Sequence, residues 1–200
     1  MAASRRIVLA SDNRGKLAEF NFLLALLAAE VVAQGALGVA PAPEPHPTFV
    51  ENALAKARHA AAATGLAALA DDSGLCCRAL AGAPGVRSAR FGGAGTNDER
   101  NNAELLRVLE ACDDRSAHYT CVLVAVRDAG DPEPLIAEGY WHGAIARAPA
   151  GSGGFGYDPL FVIDGRRTAA ELEPAEKNRL SHRGRAAQAL IDLLKTRWGW

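Results

Sequence analysis

Lysine is scarce in this sequence, long apolar runs and paired cysteine motifs are missing, and neither sign of charge is in excess. Each shortage excludes a class of protein. Lysine plus arginine total 22 against 23 aspartates plus glutamates, a net charge of −1. There is thus no basic field to hold a nucleic-acid backbone, and no nucleic-acid polymer is expected as a partner. No apolar run approaches the ~20 residues of a membrane span, which sets a membrane role aside. The opening MAASRRIVLAS is too short in its apolar stretch for a secretion signal, and the expected location is cytoplasmic. Cys76, Cys77, Cys112 and Cys121 form no C-x-x-C pair and have no histidine at zinc spacing. They read as reduced thiols in mostly apolar settings that neither staple the chain nor ligate a metal. Internal repeats are absent, as is any linker poor enough in apolar residues to separate independent domains.

What remains is 200 residues, 49% of them hydrophobic, enough for one full core or for one core split into two lobes. Strand and helix signals alternate without strict βαβ regularity. RRIVLAS reads as a short strand, and KLAEFNFLLALLAA carries Leu17, Phe20, Leu24 and Leu27 at helical spacing. TFVENALAKARHAAAATG has Thr48 and Glu51 at capping-box spacing, an apolar stripe through Val50, Ala53, Leu54 and Ala57, and Gly65 as a stop. LAALAD is a strand, followed by the Gly/Pro/Ser-rich loop LAGAPGVRSARFGGAGTND, long enough to be functional. ERNNAELLRVLEA is a helix. HYTCVLVAVRD and PLIAEGYWHGAIA are two neighbouring strands joined at Gly130 and Pro132. PLFVI is a strand, and SHRGRAAQALIDLLKTRW is a helix capped by Ser181. One α/β domain over residues 1–200 is the expectation.

The stretch LAALADDSGLCC, residues 66–77, ends an apolar run in two adjacent carboxylates, Asp71 and Asp72. Neighbouring anions repel and burial makes each costlier, so the pair calls for a cation. Alternate strand residues face opposite sides, so the two should not share one site. Asp72, nearer the loop, is the candidate for chemistry at a strand's carboxyl end, where α/β folds place ligands; a turn carboxylate is the other reading of the dipeptide alone. In ASDNRGKLAEF a strand ends at Ser11-Asp12-Asn13 and a helix begins near Gly15-Lys16. Helix-start N–H groups with a lysine beside them make an anion site, or an ordinary cap. It is no Walker A loop, since Ala10 and Leu17 stand where that motif needs glycine and a hydroxyl.

The chain has 18 Arg and only four Lys, at 16, 56, 177 and 195. A sequence so biased keeps Lys where a compact ammonium is needed, and Lys16, Lys56 and Lys177 lie in motif-like segments. Residues 148–161, APAGSGGFGYDPLF, combine glycines that let backbone approach a ligand with Phe155 and Tyr157, on which a base could stack unless both rings are tucked into the core. EPAEKNRLSHRGRAA brings Lys177, His182 and Arg183 to a helix start, where cations oppose the helix dipole and so call for an anion or a carbonyl.

The ordered set ASDNRGK, TFVENALAKARHAA, ADDSGL, GAPGVRSARF, GGFGYDPLF, TAAEL and EKNRLSHRG resembles the inosine/xanthosine triphosphate pyrophosphatases over nearly the whole chain. That resemblance implies an elongated, two-lobed α/β fold with a mixed central sheet flanked by helices and a central cleft. It also implies a homodimer and Mg2+-dependent cleavage of ITP, dITP or XTP to monophosphate and pyrophosphate. Carried over by position, Ser11, Asp12, Asn13, Arg14, Gly15, Lys16 and Lys177 would hold phosphates. Glu44 and Asp72 would serve the metal, with Asp72 also the proton acceptor. Ser73, Phe155, Gly156, Tyr157, Asp158, His182 and Arg183 would contact the nucleotide, the last two as donors toward a 6-oxo group. By charge, Lys16, Lys56 and Lys177 would neutralise the triphosphate. Two departures stand out. The family often has Thr-Gly-Asn where this chain has Ser11-Asp12-Asn13, so Asp12 must point away from phosphate or help hold the metal. It also often has an acidic residue after Ser-Gly-Leu, where this chain has Cys76-Cys77-Arg78. A pyrophosphatase for modified pyrimidine nucleotides and a non-catalytic nucleotide-binding module are the alternatives.

Overall fold

The computed structural model describes residues 5–95 and 97–200. Residues 1–4, at the head of the opening stretch, and Thr96 of the long loop lie outside the described residues. Six strands form one sheet in the order β2-β1-β3-β4-β5-β6, where β1 is Arg5–Leu9, β2 Ala29–Ala33, β3 Ala67–Cys77, β4 Ser116–Val126, β5 Leu135–Ile145 and β6 Phe161–Val162. β1 pairs parallel to both β2 and β3, and β5 pairs antiparallel to β6. The sheet is therefore mixed, and the class is α/β. The helices are α1 (Arg14–Leu24), α2 (Phe49–Thr64), α3 (Asp98–Val108), α4 (Pro174–Leu180) and α5 (His182–Leu193).

By contact the chain forms two compact units: one takes it up to Asp72 with Cys121–Gly139 and Arg183–Trp200, the other Ser73–Thr120 and Tyr140–His182. In the first unit the middle strands β3 and β4 are buried on both faces, which is why they read as continuous apolar runs, whereas β5 alternates buried and exposed residues. One set of alternating residues, Ile7, Leu9, Leu69 and Leu123, packs against Phe20 and Leu24 of α1 and Ala187, Leu190 and Ile191 of α5. The other set, Val8, Ala68, Ala70 and Val122, packs against Ala53, Ala57, Ala60 and Ala61 of α2. Alanines at that spacing form one helix stripe. The second unit has its own core around Leu75, Leu105, Tyr119, Trp141, Tyr157 and Phe161.

Local signals placed most of these elements. Thr48 caps α2 by accepting the Glu51 N–H at 3.4 Å while its hydroxyl donates to the Glu51 carboxylate at 2.5 Å. Gly65, at φ +67°, closes the helix in the left-handed region where a side chain is disfavoured. Three departures from the sequence reading are found. β3 does not stop at Asp72 but continues through Ser73-Gly74 to Cys77. The five-residue strand β2 follows α1, and its pairing partner β1 is more than twenty residues away in sequence. The stretch before Ser181 is itself a helix, α4, with Pro174 at its first position. The cysteines are unbridged, and burial pushes the Cys77 thiol up to about 12, which leaves it protonated and inert.

Candidate active site

The parity of β3 decides what the Asp71-Asp72 pair does. Asp71 shares the face of Leu69, under α1 and α5; Asp72 shares the face of Ala70, against α2. Asp71 is 1% exposed. Its Oδ1 accepts from Lys16 of α1 at 2.9 Å and its Oδ2 from Arg183 Nε of α5 at 2.5 Å. Arg183 reaches on to Glu19 of α1 at 2.5 Å. Burial opposes the arginine's charge, but Asp71 and Glu19 outweigh it and hold the guanidinium more firmly charged than usual. This is a closed network of buried opposite charges, and it anchors both helices to the strand.

Asp72 enters a different set. Lys56 of α2 places its Nζ 2.8 Å from Asp72 Oδ1, 2.7 Å from Glu44 Oε1 and 2.9 Å from the Asp71 carbonyl. Glu44 comes from PAPEPHP, where alternate prolines stiffen an extended segment. Asn52, one turn before Lys56, clips that segment to α2: its Oδ1 accepts from His46 N at 3.0 Å, and its Nδ2 donates to His46 O at 3.1 Å and to Asp72 Oδ2 at 3.4 Å. Burial raises the Asp72 pKa above its ordinary value, and the nearby lysine only partly offsets it. Burial works against the Lys56 charge, yet Asp72 and Glu44 carry its pKa above the usual lysine value. The result is a carboxylate more basic than a solvated one, held beside a cation.

Lys56 and Glu44 line a concavity of ≈ 150 Å³ together with Ser11, Asp12, Lys16 and Asp71. That is below the ~300–1,000 Å³ of whole-ligand pockets, so it accommodates one end of a ligand. At its rim Asn13 caps α1 by accepting the Lys16 N–H at 3.0 Å, and Ser11 Oγ accepts from Asn13 N at 3.2 Å. Arg14 and Gly15 form the first turn of the helix. The Asp12 carboxylate accepts from Gly35 N at 2.7 Å and Gln34 Nε2 at 3.5 Å; it braces the turn after β2. A larger hollow of ≈ 450 Å³ lies beside Arg107, Arg115 and Arg147. Arg115 directs its donors to the carbonyls of Ile145, Leu109 and Ala146, and Arg107 pairs with Glu104.

The second unit holds the other predicted residues. Asp158 accepts from Phe155 N at 2.8 Å and from Lys177 Nζ at 2.7 Å, and the same ammonium lies 4.5 Å from the Phe155 ring centre. Gly154, at φ +73°, is required because a Cβ there would collide with Asp158 Oδ2. Gly156 N donates to Asp98 at 2.6 Å, and its carbonyl accepts from Asn102 at 3.0 Å. Phe155 is half-buried, whereas Tyr157 is buried with its hydroxyl on Ser88 O at 2.8 Å. Of the two readings open for this pair, the core reading holds for Tyr157, so it is not available to stack on a base, while Phe155 stays half-buried. His182 is buried, its ring stacked on Tyr119 at 4.5 Å and 7°. Ser73 is half-buried on β3. Lys177 lies in the last turn of α4, where a cation suits the dipole, and is not at a helix start, whereas His182 and Arg183 do open α5.

The structure therefore gathers Lys16, Lys56, Glu44, Asp72 and Ser11 in the first unit, and Phe155, Gly156, Asp158 and Lys177 in the second. Asn52 and Glu19 were missed. Both are polar residues on buried helix stripes, and that is the signal that could have found them. Among the described residues no group of three or more His, Cys, Asp or Glu side chains could hold a metal ion; the Glu44–Asp72 pair is the nearest donor set.

The sequence model of the Ham1 family matches residues 7–193, which takes in every residue named in the two groups. The chain belongs to the Ham1 family. It is 60% identical over 195 residues to the dITP/XTP pyrophosphatase of Ralstonia nicotianae, covering 96% of this chain and 97% of that one. With the enzyme of the same name from Nitrosomonas europaea it shares 57% over 190 residues, 94% of each chain. The structure of a HAM1 protein from Coxiella burnetii superposes with TM-score 0.89 at 50% identity, covering 96% of this chain and 98% of that one. The Staphylococcus aureus Ham1 protein gives 0.84 at 36% identity, with the same coverage. The mixed sheet with flanking helices is thus the Ham1 fold.

Proposed function

We propose that this chain is a nucleoside-triphosphate pyrophosphatase that hydrolyses deaminated purine nucleotides, ITP, dITP and XTP, to the monophosphate and pyrophosphate with Mg2+, acting as a cytoplasmic homodimer. One observation carries the reading: Asp72 and Glu44 converge on a single cationic point beside a phosphate-sized concavity that also holds Lys16. The names of the relatives support the substrate class.

The donor set fits Mg2+, which takes one or two carboxylates and completes its shell with water and substrate phosphates. Glu44 and Asp72 would hold it, and when bound it supplies charge neutralisation along the phosphate chain. The remaining chemistry belongs to the chain. Asp72 accepts the proton of a water that attacks the α-phosphorus, while the bond from that phosphorus to the bridging oxygen breaks and pyrophosphate departs. Burial makes Asp72 more basic than a solvated carboxylate, which favours proton acceptance. Lys16 and Lys56 neutralise the phosphate oxygens, and the capped start of α1 offers the N–H groups of Arg14 and Gly15.

Phe155 offers a ring to the base, held by the Asp158 turn and the Lys177 cation, with His182 and Ser73 completing the nucleotide contacts. Arg183 serves in this reading to hold Asp71 and Glu19, because its Nε and one terminal nitrogen are committed to them. The test is pyrophosphate release from ITP, dITP, XTP, GTP and ATP with and without Mg2+. Release from the 6-oxo deaminated set, dependent on the metal, is expected; equal turnover of ATP, or nucleoside diphosphate as the main product, would sink the reading.

A further inference from the structure

The Lys56 ammonium has three protons to donate and three oxygens around it, Glu44 Oε1, Asp72 Oδ1 and the Asp71 carbonyl, all within 2.9 Å. Its donors are saturated by a cage of the kind that receives a divalent cation. Two of those oxygens belong to the carboxylates that the hydrolytic reading gives to Mg2+, and an ammonium and a divalent cation drawn to the same two carboxylates repel each other. We propose that Lys56 is an internal counter-cation that competes with the divalent metal for Glu44 and Asp72, so that metal is admitted together with the triphosphate. This rests on the hydrolytic reading and adds an order of binding to it.

Lys56 is 8% exposed, so moving its ammonium off the carboxylates without a new anion would leave it buried and unpaired, which is costly. A triphosphate supplies that anion: Lys56 turns from the carboxylates to a phosphate oxygen, and the metal takes its place between Glu44 and Asp72. Asn52 keeps the Glu44 segment on α2 throughout, through main-chain atoms of His46 that neither cation uses. Metal and triphosphate thereby strengthen each other's binding by the same factor.

The test is Mn2+ binding to the full chain without nucleotide, followed by the loss of the free Mn2+ electron-spin signal, in wild type, Lys56→Met, Lys56→Arg and the double variant Lys56→Met with Glu44→Gln. Removing two charge-assisted hydrogen bonds that compete with the metal should tighten Mn2+ binding in Lys56→Met by about ten- to a hundredfold. Lys56→Arg should stay as weak as wild type, and the double variant should lose the gain. Mn2+ should also raise the melting temperature of Lys56→Met more than that of wild type. Equal or weaker Mn2+ binding in folded Lys56→Met overturns the proposal. Failure of both Lys56→Met and Lys56→Gln to fold even in saturating Mn2+ does so too, because the metal then cannot replace the ammonium. Pyrophosphate release by wild type is assayed separately: its absence defeats the hydrolytic reading, whereas its presence beside an unchanged Mn2+ affinity defeats only this inference.

Discussion

Two neighbouring carboxylates on one strand, both buried, differ in the partners they meet. Asp71 pairs with Lys16 and Arg183, whereas Asp72 shares Lys56 with Glu44. Asp72→Asn is expected to fold and to lose turnover by roughly two to four orders of magnitude, the scale for removing a general base; near-normal pyrophosphate release from a variant with a wild-type melting curve would remove Asp72 from that role. Because burial raises the Asp72 pKa, its base form is lost on acidification earlier than for an ordinary carboxylate. The acidic limb of kcat/KM should therefore lie above the usual aspartate value of about 4. A limb at or below that value would contradict it. Arg183→Ala removes the guanidinium that Asp71 and Glu19 share, and a loss of about 3–5 kcal/mol is expected in urea denaturation. Unchanged stability with a collapsed preference for ITP over ATP would instead make Arg183 a base contact.

At the scale of elements, the turn between β4 and β5 is built on one carboxylate. Asp131 is buried and accepts the main-chain N–H groups of Arg127 and Glu133, each at 2.9 Å. Burial alone would raise its pKa, but those N–H groups outweigh it and the value is lowered. Its stabilisation is thus fully present above the unfolded value of about 3.9 and is lost as pH falls toward the lower folded value. Asp131→Asn should flatten the fall in melting temperature between about pH 5 and 3 while leaving pyrophosphate release intact; an unaltered pH profile would deny the turn this role. Helix α2 was legible from its cap, stripe and stop because all three signals are local. The extension of β3 past Asp72 and the strand β2 were not, because AEVVA and SGLCC become strands only when distant segments supply their ladders.

For the whole molecule, the near balance of charge fits an enzyme for small anions held at points, since it offers no field that would attract a polymer. Light scattering is expected to give twice the 20.9 kDa of the chain; a monomer at micromolar concentration that still turns over ITP would show that the site is complete without a second copy.

Order and spacing of motifs determined the family, the residues that carry charge and the α/β class, because glycines, caps and scarce lysines act through local geometry or chemistry that a string of residues displays. Which cation meets which carboxylate was decided only in three dimensions. Lys16, Lys56 and Arg183 stand 55, 15 to 16 and 112 positions from their Asp71 and Asp72 partners. The parity of β3 in a sheet buried on both faces sends one aspartate toward α1 and α5 and the other toward α2. Phe155 and Tyr157 also part, but in a turn and not by strand parity: Tyr157 is buried and Phe155 half-buried. Burial depends on what packs over each residue, and sequence spacing does not contain that.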